Sequence, residues 1–236
     1  SQVGCSLSCK FCATGFLKLT RNLRPDEIFD QVVLLNNMAV EHFEKPLSNI
    51  VFMGMGEPLL NYKNLLAGID RITAPDGLNM SPKRITVSTA GIAKMIKKLG
   101  DDKVKFNLAL SLHAPDDKKR STMMPINDSN SLKALTEALN DFYFKTRNKI
   151  TFEYILFDGV NETIRDAENL VALCKRVPAK VNIIEYNPVD KVKFNKSKAE
   201  KRERFIEYLE SNGVTAKVRL SRGKDIDAAC GQLANK

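Results

Sequence analysis

Long apolar runs, cysteines and acidic residues are all scarce in this chain of 236 residues. The longest uninterrupted apolar stretches, such as Val32 to Leu35, span a few residues, far short of the roughly 20 that a membrane helix needs. A membrane span is thereby excluded. No charged segment followed by an apolar one opens the sequence, so secretion has no support and the expected location is the cytoplasm. Five cysteines, with Cys5, Cys9 and Cys12 crowded into the first twelve residues and Cys174 and Cys230 standing alone, do not make the framework of a disulfide-stapled secreted domain. A reducing compartment and a metal site fit that distribution better. The acid deficit, 28 Asp and Glu against 37 Lys and Arg, gives a net charge of +9 and a pI near 9.3. That favours a polyanionic partner, with solubility alone as the plain alternative. With only 12 Gly and 9 Pro and 43% hydrophobic residues, a collagenous or disordered chain is excluded, and the length allows a sizeable core.

What is present is an alternation of two periods. Pro25 suits the first turn of a helix whose Ile28, Phe29, Val32 and Leu35 recur on one face. Asn49 to Met53 reads as a buried strand, Tyr62 to Ile72 as a helix with Leu65, Leu66 and Ile69 inward, Arg84 to Ser88 as a strand and Gly91 to Leu99 as a short helix. Val104 to Leu112 is the clearest alternating strand, and Ser131 caps a helix carrying Leu132, Leu135, Leu139 and Phe142. Ile150 to Leu156, Val181 to Tyr186 and Val214 to Leu220 are further strands, separated by helices over Thr163 to Arg176 and Lys198 to Ser211. Strands alternating with helices imply right-handed crossovers and a parallel sheet, hence an α/β fold. Without repeat or low-complexity linker, residues 1–236 read as one domain. Chemistry in such folds sits where strands end, and Gly54 to Pro58, Ser88 to Gly91, Ser111 to Pro115 and Asn187 to Pro188 fall there.

Cys5-Ser-Leu-Ser-Cys9-Lys-Phe-Cys12 is a C-x3-C-x2-C array ahead of the first helix. Three soft thiolates in eight residues suit an iron-sulfur cluster, and a cubane held by three cysteines leaves one iron open to a substrate. The alternative is structural zinc completed by His113 or Cys230, although zinc spacings usually come as C-x2-C pairs. Gly54-Met-Gly56-Glu57-Pro58 either lets backbone approach a ligand or simply makes a tight turn. His113, at a strand end, reads more readily as a binding or satisfied polar group than as an acid-base catalyst. Cys174 belongs to an apolar helical stretch and reads as packing, whereas Cys230 alone would be an incidental thiol. Lys191 to Arg204 holds seven basic residues (Lys191, Lys193, Lys196, Lys198, Lys201, Arg202, Arg204) against Glu200 and Glu203, either a phosphate-facing patch or a solvated helix face.

The array, with Phe11 before its third cysteine, resembles the cluster loop of the radical S-adenosylmethionine (SAM) superfamily. SQVGCSLSCKFCATG, FMGMGEPLLNY, ITVSTAG, LALSLHAP, EYNP and RGKDIDAACGQL, in that order across nearly the whole chain, resemble the RlmN family, radical SAM methyltransferases of carbon 2 of adenine in 23S rRNA and tRNA. The sister Cfr family, which methylates carbon 8, shares most of these motifs, and Pro58 after Gly56-Glu57 resembles the RlmN branch. The resemblance implies a partial (β/α)6 barrel with its first strand missing or incomplete, and so an open sheet edge. It implies one 4Fe-4S cluster on Cys5, Cys9 and Cys12, and SAM bound by Gly56 and Glu57 at its amino group, by Ser88, by Ser111, Leu112 and His113, and by Asn187 near the adenosine. It makes Cys230 the residue that accepts a methyl group from one SAM and, after hydrogen abstraction by a 5′-deoxyadenosyl radical from a second, adds as a methylene radical to the base. Carbon 2 is electron-poor and does not attack a sulfonium methyl group, so the cofactor carries the hard step.

The implied partners are 23S rRNA, tRNA and an electron donor such as a flavodoxin-type reductant, and a monomer is expected. In the family an upstream cysteine resolves the enzyme-RNA adduct, and an N-terminal helical domain helps bind RNA and carries a glutamate proposed as a base. With Ser1 in place of Met and the array beginning four residues later, we expect this chain to be a fragment without those parts, not competent for full turnover. The reading from a different class is a noncatalytic RNA-binding module with structural zinc.

Overall fold

The structure, a computed structural model, describes residues 1–189 and 192–234. A short antiparallel pair, β1 (Gln2–Val3) with β2 (Arg21–Asn22), frames the cysteine loop and leads into α1 (Pro25–Phe43). Six strands then alternate with helices: β3 (Ile50–Phe52), α2 (Tyr62–Thr73), β4 (Ile85–Thr89), α3 (Ala93–Asp101), β5 (Asn107–Ser111), α4 (Asp117–Met123), α5 (Leu132–Thr146), β6 (Ile150–Leu156), α6 (Ile164–Cys174), β7 (Ala179–Glu185), α7 (Ala199–Ser211) and β8 (Ala216–Arg219). β3 to β8 are hydrogen-bonded in sequence order and every pair is parallel, so the sheet is a curled, open half-barrel. No helix among the described residues is long and apolar enough to cross a membrane.

Local chemistry sets the helix starts. Ser131 Oγ accepts from Ala134 N at 3.3 Å ahead of α5, and Thr163 and Asp166 cap α6 reciprocally, each side chain reaching the other's backbone N–H. Inside the helical layer a continuous core forms from Leu65, Ile69 and Ile72 of α2, Leu135, Leu139 and Phe142 of α5, and the inward residues of β4 to β7.

Three readings from periodicity need correction. Leu108, Ala109 and Leu110 of β5 are all buried, because a parallel strand covered on both faces has no solvent side to alternate with. Asn49 to Met53 does not make a buried strand: β3 lies at the sheet edge, and Val51 is 48% exposed. Leu35, expected on one face with Ile28, Phe29 and Val32, is 54% exposed along the groove beside that edge, where no strand among the described residues pairs with the side of β3 away from β4. The open edge is thus present, and it leaves part of the apolar stripe of α1 uncovered.

α4 has no counterpart in the apolar pattern, and it carries Arg120, which is fully buried. Its guanidinium donates to the carbonyls of Leu112 (3.1 Å), Ser111 (3.1 Å) and Ala90 and to Asn127 Oδ1 (2.8 Å), tying together the loops after β4 and β5. Desolvation pulls its pKa down to about 10, still well above neutrality. Arg120→Met would strand these acceptors in the interior, so denaturant unfolding should show a loss on the order of 3 kcal/mol. A loss under about 0.5 kcal/mol, the ordinary range for surface substitutions, would contradict the role given to this side chain.

Candidate functional site

At the C-terminal ends of the strands the half-barrel opens into a cleft whose empty space, part of it open to solvent, is about 910 Å³. Cys5, Cys9 and Cys12 line it together with Gly56, Glu57, Ser88, Ser111, His113 and Cys230. The structure therefore gathers nearly all the residues singled out from sequence into one place. Leu112 and Asn187 are the exceptions: the Leu112 side chain belongs to the core, and its carbonyl accepts from Arg120. Asn187 is buried beside the cleft, with Nδ2 donating to Cys230 O and Ser221 Oγ, both at 3.1 Å, and Oδ1 left without a partner.

The cysteine loop is fixed by packing at Phe11, whose ring meets the His113 ring edge-on at 4.8 Å and the Phe157 ring at 5.5 Å, and by Lys10 N donating to Met123 O at 2.9 Å. Gly15 closes the loop because a Cβ there would lie 2.6 Å from Cys9 O. From the other end of the chain, Gly231 O accepts from Ala13 N at 2.7 Å and Leu233 O accepts from Thr14 Oγ1 at 2.6 Å. Two hydrogen bonds thus dock the C-terminal segment onto the cysteine loop and bring Cys230 to the same cleft.

Electrostatics follow from this crowding. Burial, and then the neighbouring Cys12 and Cys5, push the Cys9 thiol up to about 12, and burial pushes Cys230 up to about 11. Burial thus holds these thiols in the neutral form near pH 7. Among the described residues no three His, Cys, Asp or Glu side chains converge to the spacing of a single ion. The three loop thiols instead border a shared space.

Glu57 is buried, and its carboxylate accepts from Leu59 N (3.1 Å) and Ala90 N (2.7 Å), so it braces the turn after β3 against the loop after β4. Desolvation raises its pKa. Gly56 has φ +85°, and a Cβ there would stand 2.4 Å from Gln2 Cβ, whose side-chain Oε1 accepts from Glu57 N at 2.8 Å. The glycine is therefore required by the turn and by the close approach of Gln2, so a larger residue would first disturb that contact. Ser88 and Ser111 face each other with their Oγ atoms 3.5 Å apart. Burial pulls the His113 pKa down to about 3, and Nδ1 accepts from Ile155 N at 3.1 Å. A neutral ring with Nδ1 occupied has no free nitrogen lone pair to act as a base near pH 7.

Two charged lining residues escaped the sequence reading: Glu153, on β6, and Arg219, at the end of β8. Glu153 carried a visible signal, a lone acid inside the apolar strand Ile150–Leu156. Arg219, in a short strand with one other basic residue, Lys217, carried none. Cys174 packs against the core and burial lifts its thiol to about 12.

The model of the Radical SAM superfamily matches residues 1–174, which sets the class to which the fold and its cleft belong. The crystal structure of a radical SAM methyltransferase from Sphaerobacter thermophilus superposes with a TM-score of 0.95 at 42% identity, covering 98% of this chain and 67% of that one. Two curated relatives named "Probable dual-specificity RNA methyltransferase RlmN" are similar over the whole chain: that of Cytophaga hutchinsonii at 60% identity, of which 65% is covered, and that of Christiangramia forsetii at 57%, of which 67% is covered. The chain belongs to the RlmN family. It spans about two thirds of the length of those relatives.

Proposed function

We propose that the protein to which this chain belongs methylates carbon 2 of adenine in 23S rRNA and tRNA, with Cys230 as methyl carrier. The observation that carries this reading is the meeting of Cys5, Cys9, Cys12 and Cys230 in one cleft, although the last is more than 200 residues from the others. Three thiols at C-x3-C-x2-C spacing in one loop that lines the cleft support an iron-sulfur cluster over zinc, whose thiolate ligands usually come as C-x2-C pairs. A 4Fe-4S cluster on Cys5, Cys9 and Cys12, when bound with SAM, would supply the electron and the radical chemistry that an electron-poor ring carbon demands.

The chain's own residues do the rest. Ala13 and Thr14 hold the Cys230 segment against the cysteine loop, and Asn187 fixes the Cys230 carbonyl. Phe11, Phe157 and Tyr186 pack into an apolar wall that helps exclude water. Glu57, Ser88, Ser111 and Asn187 offer acceptors and donors to the methionyl and adenosyl parts of SAM, and His113 a neutral edge. The test is nucleoside analysis of RNA treated with the full-length enzyme and methyl-labelled SAM: label in 2-methyladenosine supports the reading, and label in 8-methyladenosine or none contradicts it.

RNA contact by the basic stretch is more selective than its composition suggests. Lys196 and Arg202 pair with Glu185 (3.2 and 2.6 Å), and Lys201 pairs with Asp158 (2.7 Å) and Glu162, so Lys201 and Arg202 brace α7, and Lys196 the segment before it, against the barrel. Lys191 lies outside the described residues. Lys193, Lys198 and Arg204 are exposed and are the phosphate candidates. Replacing these three with Glu in the full-length protein should lower the salt slope of RNA binding by about 1 per lost contact. An unchanged slope would leave the stretch a solvated helix face.

A further inference from the structure

Phe11, between Cys9 and Cys12, rests on two rings from different loops: His113 after β5, with centroids 4.8 Å apart, and Phe157 after β6, at 5.5 Å. One side chain joins those loops. Asn161 is fully buried and both polar atoms of its amide are engaged, Nδ2 donating to His113 O at 2.6 Å and Ile155 O at 2.7 Å, and Oδ1 accepting from Phe157 N at 2.8 Å. Both halves of the Phe11 seat therefore meet at a single amide. The Asn161 carbonyl in turn accepts from the buried Tyr154 hydroxyl at 2.8 Å, which anchors the clamp on β6.

His113 needs such a clamp. Its φ of +56° lies in the left-handed region, which a residue with a branched path to its side chain keeps only where the surroundings enforce it. Asn161 Nδ2 holds the carbonyl of this turn and Ile155 N holds ring atom Nδ1 at 3.1 Å, so backbone and ring are both fixed where Phe11 meets them. We propose that Asn161 is a positioning residue for the cysteine loop, acting through His113 and Phe157 on Phe11 and so on the placement of Cys9 and Cys12. This rests on the iron-sulfur reading given above. An amide suits the task because it carries two donors and an acceptor on one plane, whereas an apolar residue would strand one N–H and two carbonyls. The pairing of β5 with β6 runs from Leu108 with Ile150 to Ser111 with Glu153, ahead of both loops, so loss of the clamp should fall on the seat and leave the sheet in place.

Asn161→Ala in the full-length enzyme tests this at the loop itself, without recourse to methylation. Two rates would be measured: release of iron from the reconstituted holoenzyme to a chelator and, after iron removal, labelling of Cys9 and Cys12 by a maleimide, with Cys174 against the core as the reporter of general opening. Both the iron release and the loop labelling should be at least about tenfold faster than in wild type, with a smaller change at Cys174, because stranded buried groups shift a local opening by about this much. An unchanged rate in either measurement overturns the proposal. So does a rise at Cys174 as large as that in the loop, which would make Asn161 a general stabiliser of the fold. If the variant does not fold, wild type decides by reciprocity: a loaded loop must steady its seat, so hydrogen exchange at the Ile155 and Phe157 amides should slow at least about tenfold on cluster loading, and more than in α2. Equal exchange with and without the cluster overturns the proposal. Wild type that takes up no iron would bring down the iron-sulfur reading and this inference with it, a result distinct from an iron-loaded enzyme indifferent to Asn161.

Discussion

Full-length enzyme carrying Cys230→Ala should transfer no methyl group to RNA while keeping its iron content and its affinity for SAM. The expectation follows from where the structure places this thiol. Cys230 borders the cleft but is not one of the clustered loop cysteines, and its segment is held by backbone groups, Gly231 O on Ala13 N and Cys230 O on Asn187 Nδ2. Alanine leaves those hydrogen bonds in place, so the loss should fall on methyl carriage alone. Because an absent carrier cannot be partly replaced by binding, the effect should be a loss to background, not a modest reduction. Cys174→Ala is the control: that thiol packs against the core on α6 and should be dispensable for methylation. Residual methylation by Cys230→Ala above background, under conditions where Cys174→Ala is fully active, would sink the assignment.

The second large effect is expected at the loop. Cys9→Ala should remove the iron-sulfur cluster, and with it reductive cleavage of SAM, leaving the half-barrel folded. Cys9 contributes a thiol but little of the loop's anchorage, which comes from Phe11 against His113 and Phe157, from Lys10 N on Met123 O and from the close passage at Gly15. Losing one of three ligands to a shared centre is not compensated nearby, since the remaining cleft thiol, Cys230, is tied to another segment. Iron and sulfide analysis, the visible spectrum and 5′-deoxyadenosine formation should fall together. Full cluster content in Cys9→Ala, or stoichiometric zinc in the wild type after anaerobic reconstitution, would contradict the account.

The parts of this molecule that were readable without coordinates share one property: their chemistry is written in consecutive residues. The three cysteines of one loop, the Gly56-Glu57 turn after a strand, and β6 over Ile150–Leu156 all depend on local spacing, and the strand-helix alternation implied the parallel sheet that β3 to β8 form. What was not readable depends on partners far along the chain. Whether β3 is central or at an edge is decided by what pairs with it, not by Asn49 to Met53. Arg120 looks like a surface charge on a polar helix until the carbonyls of Leu112, Ser111 and Ala90 surround it. Arg219 gains its meaning only beside Glu153, and half of the basic charge between residues 192 and 204 is spent on Glu185, Asp158 and Glu162. Local spacing thus singled out residues that meet in one cleft, while tertiary partners decided which charges are already engaged within the protein.

The central claim is that Cys230 carries a methyl group on its way to RNA, and peptide mass spectrometry addresses it most directly. Full-length enzyme with an intact cluster would be incubated with methyl-labelled SAM, digested and analysed for the peptide containing Cys230. The account predicts one labelled methyl group on Cys230 before RNA is added, none on Cys174, and depletion of that label from Cys230 as 2-methyladenosine appears in the RNA. An unmethylated Cys230 in enzyme that nevertheless methylates RNA would contradict it.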